Sequence, residues 1–510
     1  MTGGLLNLVA NGNQNLILNG NPTKTFFKCA YLKYTNFGMQ KYRIDFIGER
    51  QLQLNELSKF SFKIPRYSEL LLDAYLVIRL PDIWSSFFSD NNPYEFKWIK
   101  HIGSLIIENV SLHCGGQILQ QFSGEYLKNK FERNDNENKI KKFYKMSGHT
   151  EELNDPEKIY NGFYPNVKVN SSQIPEPSIK GRNLYIPLPF WFSNTSKNAF
   201  PLVCLQYSDL YIDVSLKPIH ELFTVLDITQ NNPERVKPNL SDDRFQLYRF
   251  LQPPNSSNEY DNKPTNWNSD VHLVGTYVFL SEEEALVFAK NEQKYLFLDV
   301  KETLHKNIVG TQRIKIESSN LTSNFFWFFR RDDSYKRNEW TNYSNWKYEN
   351  VPNVSLIDYN NYKITQYPDI NNSKKILERL SFNFDGTFRE QEMSSDIYSY
   401  IENYSRCNGS PNDLLYTYSF GINTSYEIQP SGAINLGMFK EIYLDIQTII
   451  PNIDETQDVA TICDEDGQII GTIDIDPNKL YTYSFDMKLF EEKYNVLRFI
   501  SGNVSLIYSR

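Results

Sequence analysis

The segments YSDLYIDV at 207–214 and FKEIYLDI at 439–446 carry one pattern twice, 232 residues apart. Each apolar position meets an apolar position, Asp209 matches Glu441, and Tyr211 and Asp213 recur as Tyr443 and Asp445. Strict alternation over this length marks a strand with one face in a core. Two such strands with the same polar decoration predict two tandem copies of one all-β unit, since the spacing is far too long for a solenoid repeat. Upstream, Leu184 and Tyr185 line up with Leu415 and Tyr416 at an offset of 231 and extend the repeat.

Working outward, Leu72, Ala74, Leu76, Ile78 and Leu80 alternate with Asp73, Tyr75 and Arg79, a strand with one buried side. Gly115 and Gly116 separate the run 107–114 from 117–122. They read as a two-residue hairpin turn, whose central positions both need positive φ. Helical signals are few. Ser281 with Glu284 has capping-box spacing ahead of Ala285, Leu286, Phe288 and Ala289. A short helix is expected after Ser123 through Tyr126, Leu127 and Phe131. Pro233, Pro238, Pro253, Pro254 and Pro264 lie among Asn, Ser and Asp, so 219–269 reads as a linker or long loop. The division predicted is an arm at 1–24, a first unit at 25–218, that linker, and a second unit at 270–510. Two further polar stretches, 134–177 and 330–375, are expected as long loops with some local order.

The chain's 510 residues allow two large all-β domains, and 40 % hydrophobic content with 34 Tyr and 34 Phe supplies their cores and rules out global disorder. The formal charge is -9, from 53 basic and 62 acidic residues, the wrong sign for wrapping nucleic acid. Cys29, Cys114, Cys204, Cys407 and Cys463 are scattered and odd in number, which predicts free thiols and no disulfide framework. No basic n-region with an apolar core opens the chain, no run reaches the length of a bilayer span, and Thr2 replaces the glycine that myristoylation needs. Synthesis in a soluble, reducing compartment is expected.

Chemistry-bearing patterns are absent. His101, His113, His149, His220, His272 and His305 show no ligand spacing, and His113 and Cys114, as strand neighbours, should face opposite ways. No P-loop, G-x-G-x-x-G or G-x-S-x-G motif occurs. Asp464 to Gly467 lacks the spaced ligands and closing Glu of a calcium loop and reads as a solvated turn before a strand at 469–473. The aromatic runs 190–192 and 325–329 lack the basic interleaving of a base-stacking surface and are expected in cores or subunit contacts. No catalytic residue, cofactor-binding residue or metal ligand is predicted, so the chain is expected not to be an enzyme.

Against this background the first 40 residues become specific. Gly3, Gly4 and Leu5, then Leu8, Val9, Ala10, Gly12 and Gln14, then Gly20, Asn21, Pro22, Thr25, Phe26, Phe27, Lys28, Tyr31, Thr35, Asn36 and Phe37 resemble the opening of the major capsid proteins of nucleocytoplasmic large DNA viruses. Four later places are similar to that family: Gly115 to Gln117; Pro201 and Leu202 with Leu205 to Tyr207; Tyr416 to Phe420 with Gln429 to Gly432; and Tyr494 to Arg498 with Ser501 and Gly502. The likeness spans the chain in order. Asn11 stands where the family usually has Tyr, Asn15 where it has Asp, and Leu32-Lys33 where it tends to have two Arg.

The resemblance implies a double jelly roll of two eight-stranded sandwiches, assembling as a homotrimer that tiles an icosahedral shell in the virion. It further implies contacts with neighbouring capsomers and minor capsid proteins, an N-terminal arm directed to neighbours and an internal membrane, no direct contact with nucleic acid, and assembly in the host cytoplasm. Two alternatives share the β signature: a minor capsid paralogue, and a carbohydrate-binding β-sandwich, since jelly rolls also host lectins.

Overall fold

A computed structural model describes residues 3–29, 31–48, 51–86, 95–167, 176–227, 234–254, 260, 262–349, 373–425, 429–451, 459–463, 469–474 and 483–508. The chain divides into two units, Met1–Phe37 and Gly38–Arg510. The first carries two short helices, Gly3–Val9 and Leu16–Asn19, neither with a buried residue.

The second unit is mostly β-sheet. Eight of its strands build the first pair of large sheets: β1 (Phe37–Ile44), β2 (Ser58–Lys63), β3 (Leu70–Arg79), β4 (Ile107–Cys114), β5 (Gln117–Phe122), β6 (Asn183–Pro187), β7 (Leu210–Leu216) and β8 (His272–Leu280). Eight others build the second pair: β9 (Gln293–Ile308), β10 (Thr311–Lys315), β11 (Leu321–Arg331), β12 (Leu377–Phe384), β13 (Thr387–Ser394), β14 (Tyr416–Ser419), β15 (Ile442–Thr448) and β16 (Phe485–Ile500). The first set forms sheets in the order β1-β8-β3-β6 and β2-β7-β4-β5. The second set repeats both orders, as β9-β16-β11-β14 and β10-β15-β12-β13. The fold is a double jelly roll. The repeat that opened the sequence reading is β7 and β15, which have the same bounds at the 232-residue offset and the same alternation of buried and half-buried positions.

The hairpin turns also correspond. Gly115 and Gly116 have φ of 58° and 83°, and Asp385 and Gly386, between β12 and β13, have φ of 48° and 81°. Only the second position in each is an obligatory-looking glycine, because aspartate tolerates the left-handed region better than most residues.

Four expectations need correction. β8 pairs along β3, from His272 with Val77 to Val278 with Leu70, so a boundary at 270 cuts the last strand off the first sandwich. The segment 219–269 is more than a linker: Phe223–Asp227 pairs with both Phe96–Trp98 and Glu234–Val236. Leu184 and Ile186 face the first core, and their counterparts facing the second are Tyr416 and Tyr418. The upstream offset is therefore also 232, because a one-residue slip puts a side chain on the wrong face. The helix at Ser281 exists, as α3 (Glu282–Lys290), but the Ser281 side chain caps nothing. Three glutamates in its first turn complement the helix dipole instead, and only Phe288 of its apolar residues packs inward.

Asn134 to Pro177 is more ordered than a loop, containing α2 (Glu137–Ser147), capped by Asn136 accepting from the Lys139 N–H. The expected turn at Asp464 to Gly467 lies outside the described residues, while Val459–Cys463 and Ile469–Asp474 pair as antiparallel strands.

Candidate assembly interface

The two sandwiches meet at several places, among them Trp191 against Tyr295 and Phe200 against Phe499, and one helix carries the charged part of the contact. α1 (Gly124–Asn134) starts where expected, with the Ser123 side chain accepting the Tyr126 N–H at 3.2 Å, Glu125 in its first turn and Arg133 in its last. Gly124 lets it begin flush against the short helix Ile102–Leu105 and the start of β4: a Cβ there would stand 1.9 Å from the Ser104 carbonyl oxygen and 2.5 Å from that of Ile107. Leu127 points into the first core, while Glu125, Tyr126 and Arg133 meet the outer face of β11 and β16, and Asn129 donates to the hydroxyl of Tyr343, whose ring stacks on Phe328.

That face is both apolar and charged. In β11 the aromatic run splits by parity, Phe325, Trp327 and Phe329 into the second core, Phe326 and Phe328 towards the first sandwich. Phe490 of β16 stacks on Phe326 at 4.6 Å, and the Tyr126 ring lies 5.9 Å from Phe326. Within this apolar setting Arg133 bonds Glu492 at 2.6 Å and donates to Asn324 Oδ1 at 3.0 Å. Its guanidinium sits 4.4 Å above the Phe326 ring. The Tyr126 hydroxyl donates to the other Glu492 oxygen at 2.7 Å. Glu125 pairs with Arg330 and Lys488, each at 2.7 Å, and Lys488 also reaches Glu302 at 3.0 Å.

Burial alone would push both carboxyls up. The charges of Lys488 and Arg330 reverse this for Glu125, and those of Arg133 and Lys130 for Glu492, holding both below the ordinary carboxylate range. Both stay ionised at neutral pH, so the junction is a set of satisfied ion pairs inside an apolar contact, a combination that fixes one docking geometry.

Behind α1, Lys128 bonds Glu132 at 2.9 Å and the Tyr144 hydroxyl donates to Glu132 at 2.8 Å. The rings of His101 and His149 stack at 3.6 Å. Burial, with Lys128 and Lys100 near, brings His149 down to about 4 and His101 well below its usual value. Both are neutral members of the packing.

The other residues singled out by sequence are dispersed. Phe190, Trp191 and Phe192 are in the first core. His113 bonds Asp213 at 2.6 Å while Cys114 turns inward, opposite faces as expected. Cys29, Cys114, Cys204 and Cys407 are unpaired. Among the described residues no group of three or more His, Cys, Asp or Glu is placed to hold a metal. The ionic junction itself was missed by sequence reading. Its only signal is three adjacent charges, Glu491, Glu492 and Lys493, in the middle of a strand-like stretch.

Two eight-stranded jelly rolls joined through such a junction make a double jelly-roll protein. The model for the major capsid protein N-terminus matches residues 25–281, and that for the large eukaryotic DNA virus major capsid protein matches 284–505. Similar curated proteins include the major capsid protein of Paramecium bursaria Chlorella virus 1, 22 % identical with all of both chains covered. Probable capsid protein 4 of Acanthamoeba polyphaga mimivirus is 22 % identical over 90 % of this chain and 96 % of its own. Capsid protein 1 of the same virus is 28 % identical over 58 % of this chain, and the match spans less than half, 43 %, of that relative. Among solved structures, the PBCV-1 virus capsid gives a TM-score of 0.63 at 17 % identity over 95 % of this chain and 100 % of that one. The Faustovirus major capsid protein gives 0.63 at 10 % identity over 94 % and 93 %. The chain belongs to the large eukaryotic DNA virus major capsid protein family, and its role is structural, in the capsid of the virion.

Proposed function

We propose that three copies of this chain close head to tail into a homotrimeric, pseudo-hexagonal capsomer that tiles an icosahedral shell. The observation that carries this is the repeated strand order joined by an unlike contact, in which a helix of the first sandwich meets a sheet face of the second. Such a contact is heterologous, and heterologous contacts repeated between copies generate rings. Six similar sandwiches from three chains complete the ring. The domains proposed are an arm at 1–24, a first jelly roll ending at Leu280, α3 as the connection, and a second jelly roll through 505; the family models change over between 281 and 284. The arm is proposed to contact neighbouring capsomers, minor capsid proteins and an internal membrane. Separation from the genome is in keeping with the net charge of -9, and assembly in the host cytoplasm is part of the same proposal.

Light scattering on the purified chain tests the reading. The expected mass is about 180 kDa, three times the 59.9 kDa chain. A strict monomer at micromolar concentration overturns it. Copy number in purified particles decides between a major role, in which this chain outnumbers every other shell protein, and a minor one.

A further inference from the structure

The unit Met1–Phe37 is charged oppositely to the rest of the chain. Its only charged side chains are Lys24, Lys28 and Lys33, so it carries +3; the whole chain carries -9, which leaves -12 on the remainder. Residues 1–23 contain no charge at all. Every described residue of the unit is exposed except Asn15, which is half-buried. That includes the large apolar side chains: Ile17 and Leu18 are 87 % and 88 % exposed, and Phe26 and Phe27 are 88 % and 98 % exposed. Single exposed hydrophobics are ordinary on a protein surface, but a series of them marks a place where something binds.

Two kinds of surface follow one another along it. In the helix Gly3–Val9, Leu5, Leu6, Leu8 and Val9 fall within an arc of about 160°, with Asn7 on the opposite side. In Leu16–Asn19 the three aliphatic residues are consecutive, and Asn15 and Asn19 close the other side. No helix among the described residues is long and apolar enough to cross a bilayer, and uncharged apolar helices as short as these two can only lie along an interface. From residue 24 onward, Lys24, Lys28 and Lys33 alternate with Phe26, Phe27 and Tyr31, and the Lys24 Nζ stands 5.3 Å from the centre of the Phe26 ring. Rings and lysines in this mixture settle at headgroup level, ring to the acyl boundary and ammonium to phosphate and water. A nucleic acid would account for the lysines and leave the uncharged residues bare. An apolar protein groove would cover those residues and give the lysines no counter-charge. An anionic bilayer surface meets both, and the -12 on the remainder makes this unit the part it attracts.

We infer that Met1–Phe37 binds an anionic lipid bilayer directly, with the aliphatic side chains of residues 5–18 in the acyl boundary and Lys24, Lys28 and Lys33 on headgroup phosphates. This rests on the reading above that the arm faces an internal membrane, and it assigns the lipid class and the residues that recognise it. Either attraction alone is weak: a short apolar segment binds reversibly, and three lysines are released by salt. Many copies in one shell turn contacts that are individually reversible into a firm hold.

The test floats the full-length chain with vesicles of phosphatidylcholine, with or without one-third phosphatidylserine. Wild type is compared with Lys24→Gln/Lys28→Gln/Lys33→Gln and with Ile17→Gln/Leu18→Gln, and light scattering and circular dichroism are run on the same samples. All five positions are exposed, so folding is expected to be unchanged. A lysine at an anionic surface is worth roughly fivefold in affinity, so the triple variant is expected to bind the phosphatidylserine vesicles about a hundredfold more weakly than wild type. High salt should act on wild type as the lysine changes do. Ile17→Gln/Leu18→Gln is expected to lose at least about tenfold on both kinds of vesicle. A trimeric wild type that binds neither kind overturns the lipid contact and leaves the capsomer standing. Equal binding to both kinds, unaffected by the lysine changes, overturns the anionic recognition and leaves a membrane-facing arm. Tighter retention on duplex DNA than on phosphatidylserine vesicles at the same salt overturns the inference in favour of nucleic acid. Larger assemblies that both variants abolish, without vesicle binding, overturn it in favour of a second copy of this chain. A monomeric wild type with the expected lipid and lysine dependence overturns the trimer and keeps the lipid contact.

Discussion

Replacing Arg133 by methionine isolates the ionic part of the internal junction. The Arg133 and Glu492 side chains are essentially without solvent exposure and 2.6 Å apart. At an effective dielectric of about 20 two charges at that distance attract by roughly 6 kcal/mol, most of it offset by the desolvation of both groups. Deleting one partner keeps the desolvation and loses the attraction, so Arg133→Met is expected to lower the unfolding free energy by about 3–5 kcal/mol. The Tyr126 hydroxyl still donates to the orphaned carboxylate but carries no charge. Arg133→Met/Glu492→Gln removes both charges, keeps an acceptor for Tyr126, and should recover at least about 2 kcal/mol of that loss.

The pH dependence gives an independent sign. In the wild type, Glu492 is held below its unfolded value of about 4.3, so its contribution is complete above that pH and is lost as pH falls through the lower folded value. Without Arg133, burial dominates and raises Glu492 above the unfolded value. Folding then favours the protonated form, and Arg133→Met should gain stability relative to wild type as pH drops from 7 towards 5. Urea unfolding followed by tryptophan fluorescence, on chain diluted below assembly, measures all three proteins. A loss under about 1 kcal/mol, or a double variant as unstable as the single one, would refute the treatment of this pair as a satisfied ionic weld.

Gly124→Ala should destabilise by about 3 kcal/mol although alanine favours helices, because its Cβ meets the Ser104 and Ile107 carbonyl oxygens, which are rigid backbone; urea midpoints check this. His149 is neutral in the fold down to about 4 but binds a proton near 6.5 when unfolded, so stability should fall as pH falls between those values. His149→Gln should flatten this slope, measured by urea midpoints across pH 4–7. Arg313 pairs with Asp445 at the surface, and Arg313→Ala should leave the urea midpoint unchanged within error.

What sequence could convey follows from what alternation encodes. It reports which side of a strand is buried, so β7, β15 and the inward side of β3 were legible, as was the Gly115-Gly116 turn, where backbone geometry restricts residue choice. Alternation does not report partners. β8 lies close in sequence to the second jelly roll but pairs with β3, about 200 residues earlier, which nothing in its own pattern announces. The Leu-Tyr match at 184 and 415 was misleading because side-chain similarity outweighed facing: Leu415 packs with the first core, while Leu184 corresponds to Tyr416. The junction was hidden for a different reason. Arg133, Glu125 and Glu492 have the composition of a solvated surface, and only three-dimensional pairing turns them into buried groups.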